Sequence, residues 1–228
     1  DLRIIFTRVF STQIVGLNGL CTDIISILSL TEMGFESAII YALYEPIAHG
    51  NIEKQKSVMQ LYRRFYHFVA LTVMATGLVI MVFLPIVVKD YASVENIRLI
   101  FFLYLVNAAS SYLLIYKATL ITAHQMGYIP TFYWMAALVT QDILQIILML
   151  VHPDFVLFLV IGVAVTVAKN ILLSKKAESM YTYLKDKDIK PLDEDDKREI
   201  DDNVRAVILH KIGIVAVNNT DNIILSAF

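Results

Sequence analysis

Cysteine is almost absent from this chain, since Cys21 is the only one among 228 residues. A single cysteine excludes an intrachain disulfide and any metal site built from several thiolates. It lies within an apolar run, where we expect it to act as a small packing residue. Charge is scarce too, because charged residues make up 18% of the chain and the formal net charge is −2. So small a net charge argues against a nucleic-acid partner.

Sequence motifs of enzymes are missing as well. The chain has no HExxH, no glycine-rich phosphate loop and no pattern typical of a Ser–His–Asp site. A membrane-embedded polymerase or acyltransferase would need catalytic His, Asp or Arg residues on a loop, and the turns KDYASVEN and HPD are too short to hold them. We therefore expect no enzymatic activity, no metal site and no cofactor other than a coupling proton or sodium ion.

Apolar residues are what the chain has in excess: they make up 57% of it, and the mean hydropathy is +0.65. Soluble domains contain about 45–50% apolar residues, so the excess indicates lipid as the solvent. A helix needs roughly 20 apolar residues to cross the bilayer, and the alternating strands of a membrane barrel are absent. Complete runs of this kind occur at 17–44, 66–88, 97–123, 129–151 and 155–174, with partial ones at 2–15 and from 204 onward.

Basic residues predict which connections face the cytoplasm. The first, third and fifth connections hold twelve Lys and Arg residues against two in the others, so by the positive-inside rule they are cytoplasmic. The longest one, 175–203, is expected to be a solvated linker with short helical pieces, and recruitment of a partner through its charges is the alternative. Residues 51–65 are amphipathic, and their basic face suits anionic lipid headgroups.

Polar residues inside the apolar runs follow helical spacing. Thr22, Ser26, Ser29, Glu32 and Glu36 form one stripe, with Asp23 beside it. A charge at the bilayer centre costs about 2.5–3.5 kcal/mol, so these faces should turn toward water or another helix. Interhelical hydrogen bonds that only hold a bundle together are the alternative. Other runs carry further polar positions, at Asn107, Ser110, Lys117, Gln141, Asp142, Gln145, Thr166, Lys169, Asn170, Lys211, Asn218, Asp221 and Asn222.

Several segments together resemble the Wzx-type polysaccharide flippases of the multidrug/oligosaccharidyl-lipid/polysaccharide exporter superfamily. They follow the family's order over nearly the whole chain, although none is diagnostic alone. The segments are GLNGL (16–20), LSLTEMGFESAIIYALYEPIA (28–48), LYRRFY (61–66), YKATLITAHQMGYI (116–129), KPLDEDDKREI (190–200) and HKIGIVAVNNTDNIILSAF (210–228).

The resemblance implies an all-α integral membrane protein, a polytopic helix bundle of two six-helix lobes around a central cavity. Residues 1–174 would form the N-terminal lobe with a truncated first helix, 175–203 the cytoplasmic interlobe linker, and 204–228 the start of the seventh helix. The chain begins without Met and stops within an apolar run, so we expect it to be part of a longer protein. The family resides in the cytoplasmic membrane as multi-pass proteins.

The resemblance also implies the substrate, an undecaprenyl-pyrophosphate-linked oligosaccharide moved across the bilayer by alternating access for polysaccharide biosynthesis. Glycosyltransferases and a polysaccharide polymerase would be partners in that process. Arg8 and Lys211 are the candidate pyrophosphate contacts, and Glu32 either binds sugar or ties two helices together. A cation-coupled multidrug antiporter of the same superfamily is the alternative function. The remaining candidate substrate-binding residues are Asp23, Lys117, Asn218, Asp221 and Asn222.

Overall fold

The computed structural model of the protein describes residues 2–29, 35–87, 95–186 and 188–206, and this part contains α-helix and no β-strand. In chain order, the first seven helices are α1 (Leu2–Val9), α2 (Thr12–Ser29), α3 (Phe35–Ala48), α4 (Ile52–Val87), α5 (Ile97–Ala123), α6 (Tyr128–Val151) and α7 (Phe155–Met180). A 3₁₀ turn at Thr182–Lys185 follows α7, and residues 194–206 form a further helix, α8.

Three of these helices are long and apolar enough to cross a membrane: Ile52–Ile86 within α4, then α6 and α7. The two parts of α5 would make a fourth span if they are counted as one. The outer faces of these helices are apolar, as exposed side chains such as Phe132, Leu150 and Ile86 illustrate. The prediction of a helical membrane protein is confirmed at this level, and the six-helix lobe stays a prediction.

Three predicted spans lie partly outside the described residues, one of them, 66–88, only by its last residue. The first, 17–44, includes parts of α2 and α3, and the intervening residues 30–34 are not among those described. The last, from residue 204, falls on the end of α8 for its first three residues and otherwise lies outside the described part of the chain.

Helix α5 is the centre of the bundle and contacts α2, α3, α4, α6 and α7. Buried side chains form two clusters along it. One cluster includes Tyr62 of α4 and Leu120 of α5, near the predicted cytoplasmic end. The other includes Phe6, Phe101 and Phe155, toward the opposite end. Since α5 contributes to both clusters, it links the two ends of the molecule.

Helix α5 bends by 44° between its segments Ile97–Leu113 and Tyr116–Ala123. Just before the bend, the hydroxyls of Ser110 and Ser111 both donate to the Asn107 carbonyl. The Ser110 carbonyl in turn accepts from Nδ2 of Asn170 in α7, at 3.1 Å. Side chains that compete for backbone carbonyls weaken the helical ladder and bend it. We attribute the bend to this local exchange of hydrogen bonds, since the segment contains no proline.

Helix α4 is too long to be a simple membrane span. Its 36 residues correspond to about 54 Å at 1.5 Å per residue, whereas the hydrocarbon core is about 30 Å thick. The apolar stretch begins after Arg63 and Arg64. We therefore place residues 52–65, called here the α4 extension, beyond the hydrocarbon. The amphipathic segment that precedes the predicted span is thus part of the same helix.

The linker folds against the α4 extension instead of lying free in solvent. The Ser57 hydroxyl donates to the Lys190 carbonyl at 2.6 Å, and the Tyr183 hydroxyl donates to Oε1 of Gln55 at 2.6 Å. Burial raises the pKa of Tyr183 to about 12, so the phenol stays protonated and able to donate. Five consecutive residues of the extension, 55–59, are buried. The linker is thus attached to the extension at several points, while most of its described side chains remain exposed to solvent, as expected of a solvated linker.

The beginning of the linker differs from expectation. Helix α7 continues to Met180, six residues past the predicted boundary at 174. The next residue, Tyr181, is buried and its ring stacks on His124 with centroids 4.5 Å apart. Ile200 of α8 is buried in the same cluster as Tyr62. Apolar anchors at both ends therefore hold the linker against the bundle.

Gly77 allows α4 and α5 to approach closely, because a Cβ at this position would overlap the side chain of fully buried Leu105. We expect Gly77→Ala to destabilise the protein by about 1–3 kcal/mol through overpacking. Adding Leu105→Ala should relieve the overlap. Thermal unfolding in detergent measures both effects. Gly19→Ala is the matched control, since a Cβ at Gly19 meets nothing within 4 Å; equal midpoints for the two single variants would contradict this account.

Candidate functional site

Three of the eight predicted site residues lie in the described part of the chain. Arg8 is exposed in the last turn of α1, Asp23 is exposed on α2, and Lys117 is half-buried on α5. No described ion pair joins any two of these three. The other five predicted site residues lie outside the described residues: Glu32, Lys211, Asn218, Asp221 and Asn222.

Arg8 and Asp23 lie on uncovered faces of largely apolar helices. Neither takes part in an ion pair with another residue of the described ranges 2–29, 35–87, 95–186 and 188–206. Near Asp23, the Thr22 hydroxyl donates to the Asn18 carbonyl at 2.7 Å, and the Tyr104 hydroxyl of α5 donates to Oδ1 of Asn18. Asn18, which was not part of the predicted stripe, thus joins Thr22 of α2 to Tyr104 of α5.

Lys117 is neutralised by a neighbouring helix. Its ammonium forms an ion pair with Glu178 of α7, and the two side chains are only 12% and 25% exposed. The ammonium also lies 5.7 Å from the centre of the Tyr116 ring. Glu178 is not among the predicted site residues, because it lies in the charged run KKAES at the predicted start of the linker. In this arrangement Lys117 joins α5 to α7.

Two interior amides also join helices. Nε2 of Gln145 in α6 donates to the Phe158 carbonyl of α7 at 3.0 Å, and Asn170 of α7 donates to α5 at the bend. Both residues are buried, and their side-chain oxygens have no hydrogen-bond partner in the described part of the chain. Gln145 and Asn170 thus form interhelical hydrogen bonds, which was the alternative interpretation for single polar residues.

A polar groove of about 500 Å³ opens between α3, the α4 extension and α8. Its charged centre is Lys54, whose Nζ lies 2.9 Å from Glu45 Oε2 and 3.0 Å from Asp196 Oδ1. Because three carboxylates face one ammonium, the lining carries a formal charge of −2. The full lining, called here the α3–α8 groove, consists of Tyr41, Ala42, Tyr44, Glu45, Lys54, Val58, Asp196, Glu199 and Ile200.

The chemistry of the α3–α8 groove suits a polyhydroxylated or cationic ligand. Tyr41 and Tyr44 are exposed, three residues apart on α3, so both rings lie on the same side of that helix. Aromatic faces bind sugar C–H groups and cations, while carboxylates accept hydrogen bonds from hydroxyl groups. A phosphate would be repelled by the net negative lining. The acidic cluster DEDDKREIDD is a faint sequence signal of this site, whereas nothing in the sequence indicates its partners on α3.

Comparisons of the chain with protein-family models, curated proteins and solved structures give no match. The likeness to polysaccharide flippases therefore stays a prediction from the quoted segments.

Lys117 would be left as a half-buried, uncompensated charge in Glu178→Gln. We expect this variant to lose about 1–2 kcal/mol of stability, because the desolvation of the Lys117 ammonium is no longer offset by an ion pair. Replacing both residues, as Lys117→Met with Glu178→Leu, should recover most of the loss. Thermal unfolding in detergent measures both. Glu194→Gln is the control, because the Glu194–Lys197 pair is largely exposed and should contribute little; an equal loss in the control would contradict the interpretation.

His124 predicts a pH dependence of stability. It follows α5 and stacks on Tyr181, its Nε2 is buried without a partner in the described part of the chain, and burial lowers its pKa. The neutral ring therefore stabilises the fold above the ordinary pKa of about 6.5, and this contribution is lost as the pH falls toward the lowered value.

We expect the unfolding midpoint to fall between pH 7.5 and 5 by less in His124→Phe than in the unmodified protein, because Phe keeps the ring contact and cannot be protonated. His152→Phe is the control, since His152 is exposed in the turn after α6. Identical pH profiles for the unmodified protein and His124→Phe would contradict the prediction.

Proposed function

We propose that the protein is a flippase of the cytoplasmic membrane that moves an undecaprenyl-pyrophosphate-linked oligosaccharide between leaflets by alternating access. It would act in polysaccharide biosynthesis, without chemical conversion of its substrate. The segments that resemble the Wzx-type flippases motivate this choice of class and substrate. The bilayer itself, and glycosyltransferases and a polymerase of the same process, are its proposed partners.

The exposure of Arg8 and Asp23 carries the proposal. Both are charged, both belong to helices rich in apolar residues, and neither is covered by described parts of the chain. Contact of either charge with hydrocarbon would cost about 2.5–3.5 kcal/mol. A water-filled crevice, closed on its other side by a second lobe, removes that cost. A crevice lined by charge is also what a sugar pyrophosphate needs to cross a bilayer.

The α3–α8 groove supports a step of loading from the cytoplasmic leaflet. It lies at the end of the bundle where the basic α4 extension and the linker meet, which the positive-inside rule assigns to the cytoplasm. Its tyrosines and carboxylates suit the hydroxyl groups of an oligosaccharide. The pyrophosphate, which the groove repels, would be bound outside the groove: by Lys211 in the predicted span from residue 204, and by Arg8 at the end of the bundle opposite the groove, near Phe6.

The other predicted residues take supporting roles in this proposal. Asp23 would accept hydrogen bonds from sugar hydroxyls or hold a coupling proton or sodium ion, and Glu32, Asn218, Asp221 and Asn222 are assigned to the same crevice by the resemblance. Lys117 is better suited to holding α5 against α7, because Glu178 already neutralises it.

A cation-coupled multidrug antiporter is the second candidate. The formal charge of −2 on the lining of the α3–α8 groove favours this function, because an acidic aromatic surface binds organic cations. Transport into liposomes separates the two functions. Uptake of a lipid-linked oligosaccharide supports the flippase, and uptake of cationic dyes without it supports the antiporter.

Arg8→Ala in the full-length protein is expected to reduce translocation of the lipid-linked oligosaccharide to background, because the pyrophosphate would lose its ion-pair partner in the crevice. The measurement is oligosaccharide accessibility at the outer leaflet of proteoliposomes, at matched protein abundance. Arg198→Ala is the control, since Arg198 is an exposed arginine of α8 outside the apolar helices. A translocation rate of Arg8→Ala equal to that of the unmodified protein would exclude Arg8 from the mechanism.

A further inference from the structure

Lys54 joins three helices through one ammonium group. It belongs to the first turn of the α4 extension and contacts Glu45 near the end of α3 and Asp196 in the first turn of α8. The Lys54 side chain is only 23% exposed and that of Asp196 27%. Both are shielded more than an ordinary surface pair, so this contact is worth more than the small contribution typical of exposed ion pairs.

A second ion pair and two hydrogen bonds hold the linker to the same helix. Lys56 contacts Asp186 at 3.3 Å, one residue from the end of the 3₁₀ turn. The hydrogen bonds from Ser57 and Tyr183, described above, lie on either side of this contact along the linker. The attachment points are thus distributed from Tyr183 to Asp196, and no long stretch of the described linker is left without one.

Helix α8 begins directly after this attachment and is described up to residue 206. Lys211, the candidate pyrophosphate contact, follows five residues later in the sequence. The orientation of α8 therefore sets the direction in which the chain leaves the described linker at residue 206. A tether without contacts would impose no such direction, because a flexible linker transmits only a limit on distance.

We propose that the described residues of the linker, 181–186 and 188–206, form a strut, which Lys54 and Lys56 dock on the α4 extension and which fixes the direction of the chain at residue 206. Lys54 also lines the α3–α8 groove, and in this proposal it acts as a positioning residue through its ion pairs with Glu45 and Asp196. The strut makes the interlobe connection a mechanical part of the bundle, so that a movement of α3 or α4 is passed to α8. The inference stands on contacts within the chain and does not depend on which substrate is transported.

Distance measurements between spin labels test the strut in the full-length protein in lipid. Arg64→Cys on the α4 extension and Asp202→Cys on α8 provide exposed labelling positions, in a Cys21→Ala background that leaves no other cysteine in the printed sequence. A docked strut predicts one narrow distribution of distances. A broad distribution in the otherwise unmodified protein would show a flexible tether and overturn the proposal.

Charge reversal tests whether the ion pair between Lys54 and Asp196 docks the strut. Asp196→Lys should increase the undocked fraction at least about threefold, because attraction to Lys54 becomes repulsion. The double variant with Lys54→Glu should restore the narrow distribution. Glu194→Lys is the matched control: it makes the same change of charge two residues away, at a side chain that is 89% exposed and pairs only with Lys197 in the described chain. Equal broadening by Glu194→Lys and Asp196→Lys would overturn the role of Lys54.

Translocation by the same variants separates this inference from the proposed function. If the strut is mechanical, Asp196→Lys lowers the rate at least about threefold and the double variant recovers it. An unchanged rate with broadened distances would overturn the mechanical role. Narrow distances in a protein that translocates no lipid-linked oligosaccharide would instead overturn the flippase proposal and leave the docked strut intact.

Discussion

Charge in an apolar solvent has to be paired or hydrated, and this constraint organises the molecule. Where helices pack closely, polar side chains join neighbouring helices: Lys117 pairs with Glu178, and Asn170 donates to the α5 backbone. Arg8 and Asp23, which form no ion pair within the described part of the chain, lie on open faces. The division separates groups that hold the bundle together from groups that remain free to meet a ligand.

The same constraint accounts for the shape of the central helix. Helix α5 contributes to two buried clusters and contacts five neighbouring helices, and its bend lies near the Ser110 carbonyl, which accepts a hydrogen bond from Asn170. A buried amide needs partners for its donors, and the backbone of α5 supplies one. A side chain of α7 thus contacts α5 at the point where the helix changes direction.

Sequence patterns predicted the helical membrane character because apolar length is a strong and local signal, and α6 and α7 agree with the predicted runs within a few residues at most of their ends. Helical spacing predicted a polar stripe beside Asp23 on α2, but not the role of Asn18, which joins Thr22 to Tyr104 of α5. The docked linker and the α3–α8 groove could not be predicted in this way. Both depend on Lys54, Glu45 and Asp196 meeting across long separations in sequence, and charged residues in a polar segment look alike whether solvated or paired.

The length of α4 has a consequence for how the two sides of the membrane communicate. One continuous helix carries both a long apolar portion and the polar α4 extension. A rigid tilt of the apolar portion would therefore move the extension and the linker residues attached to it as one unit, without transmission through a loop.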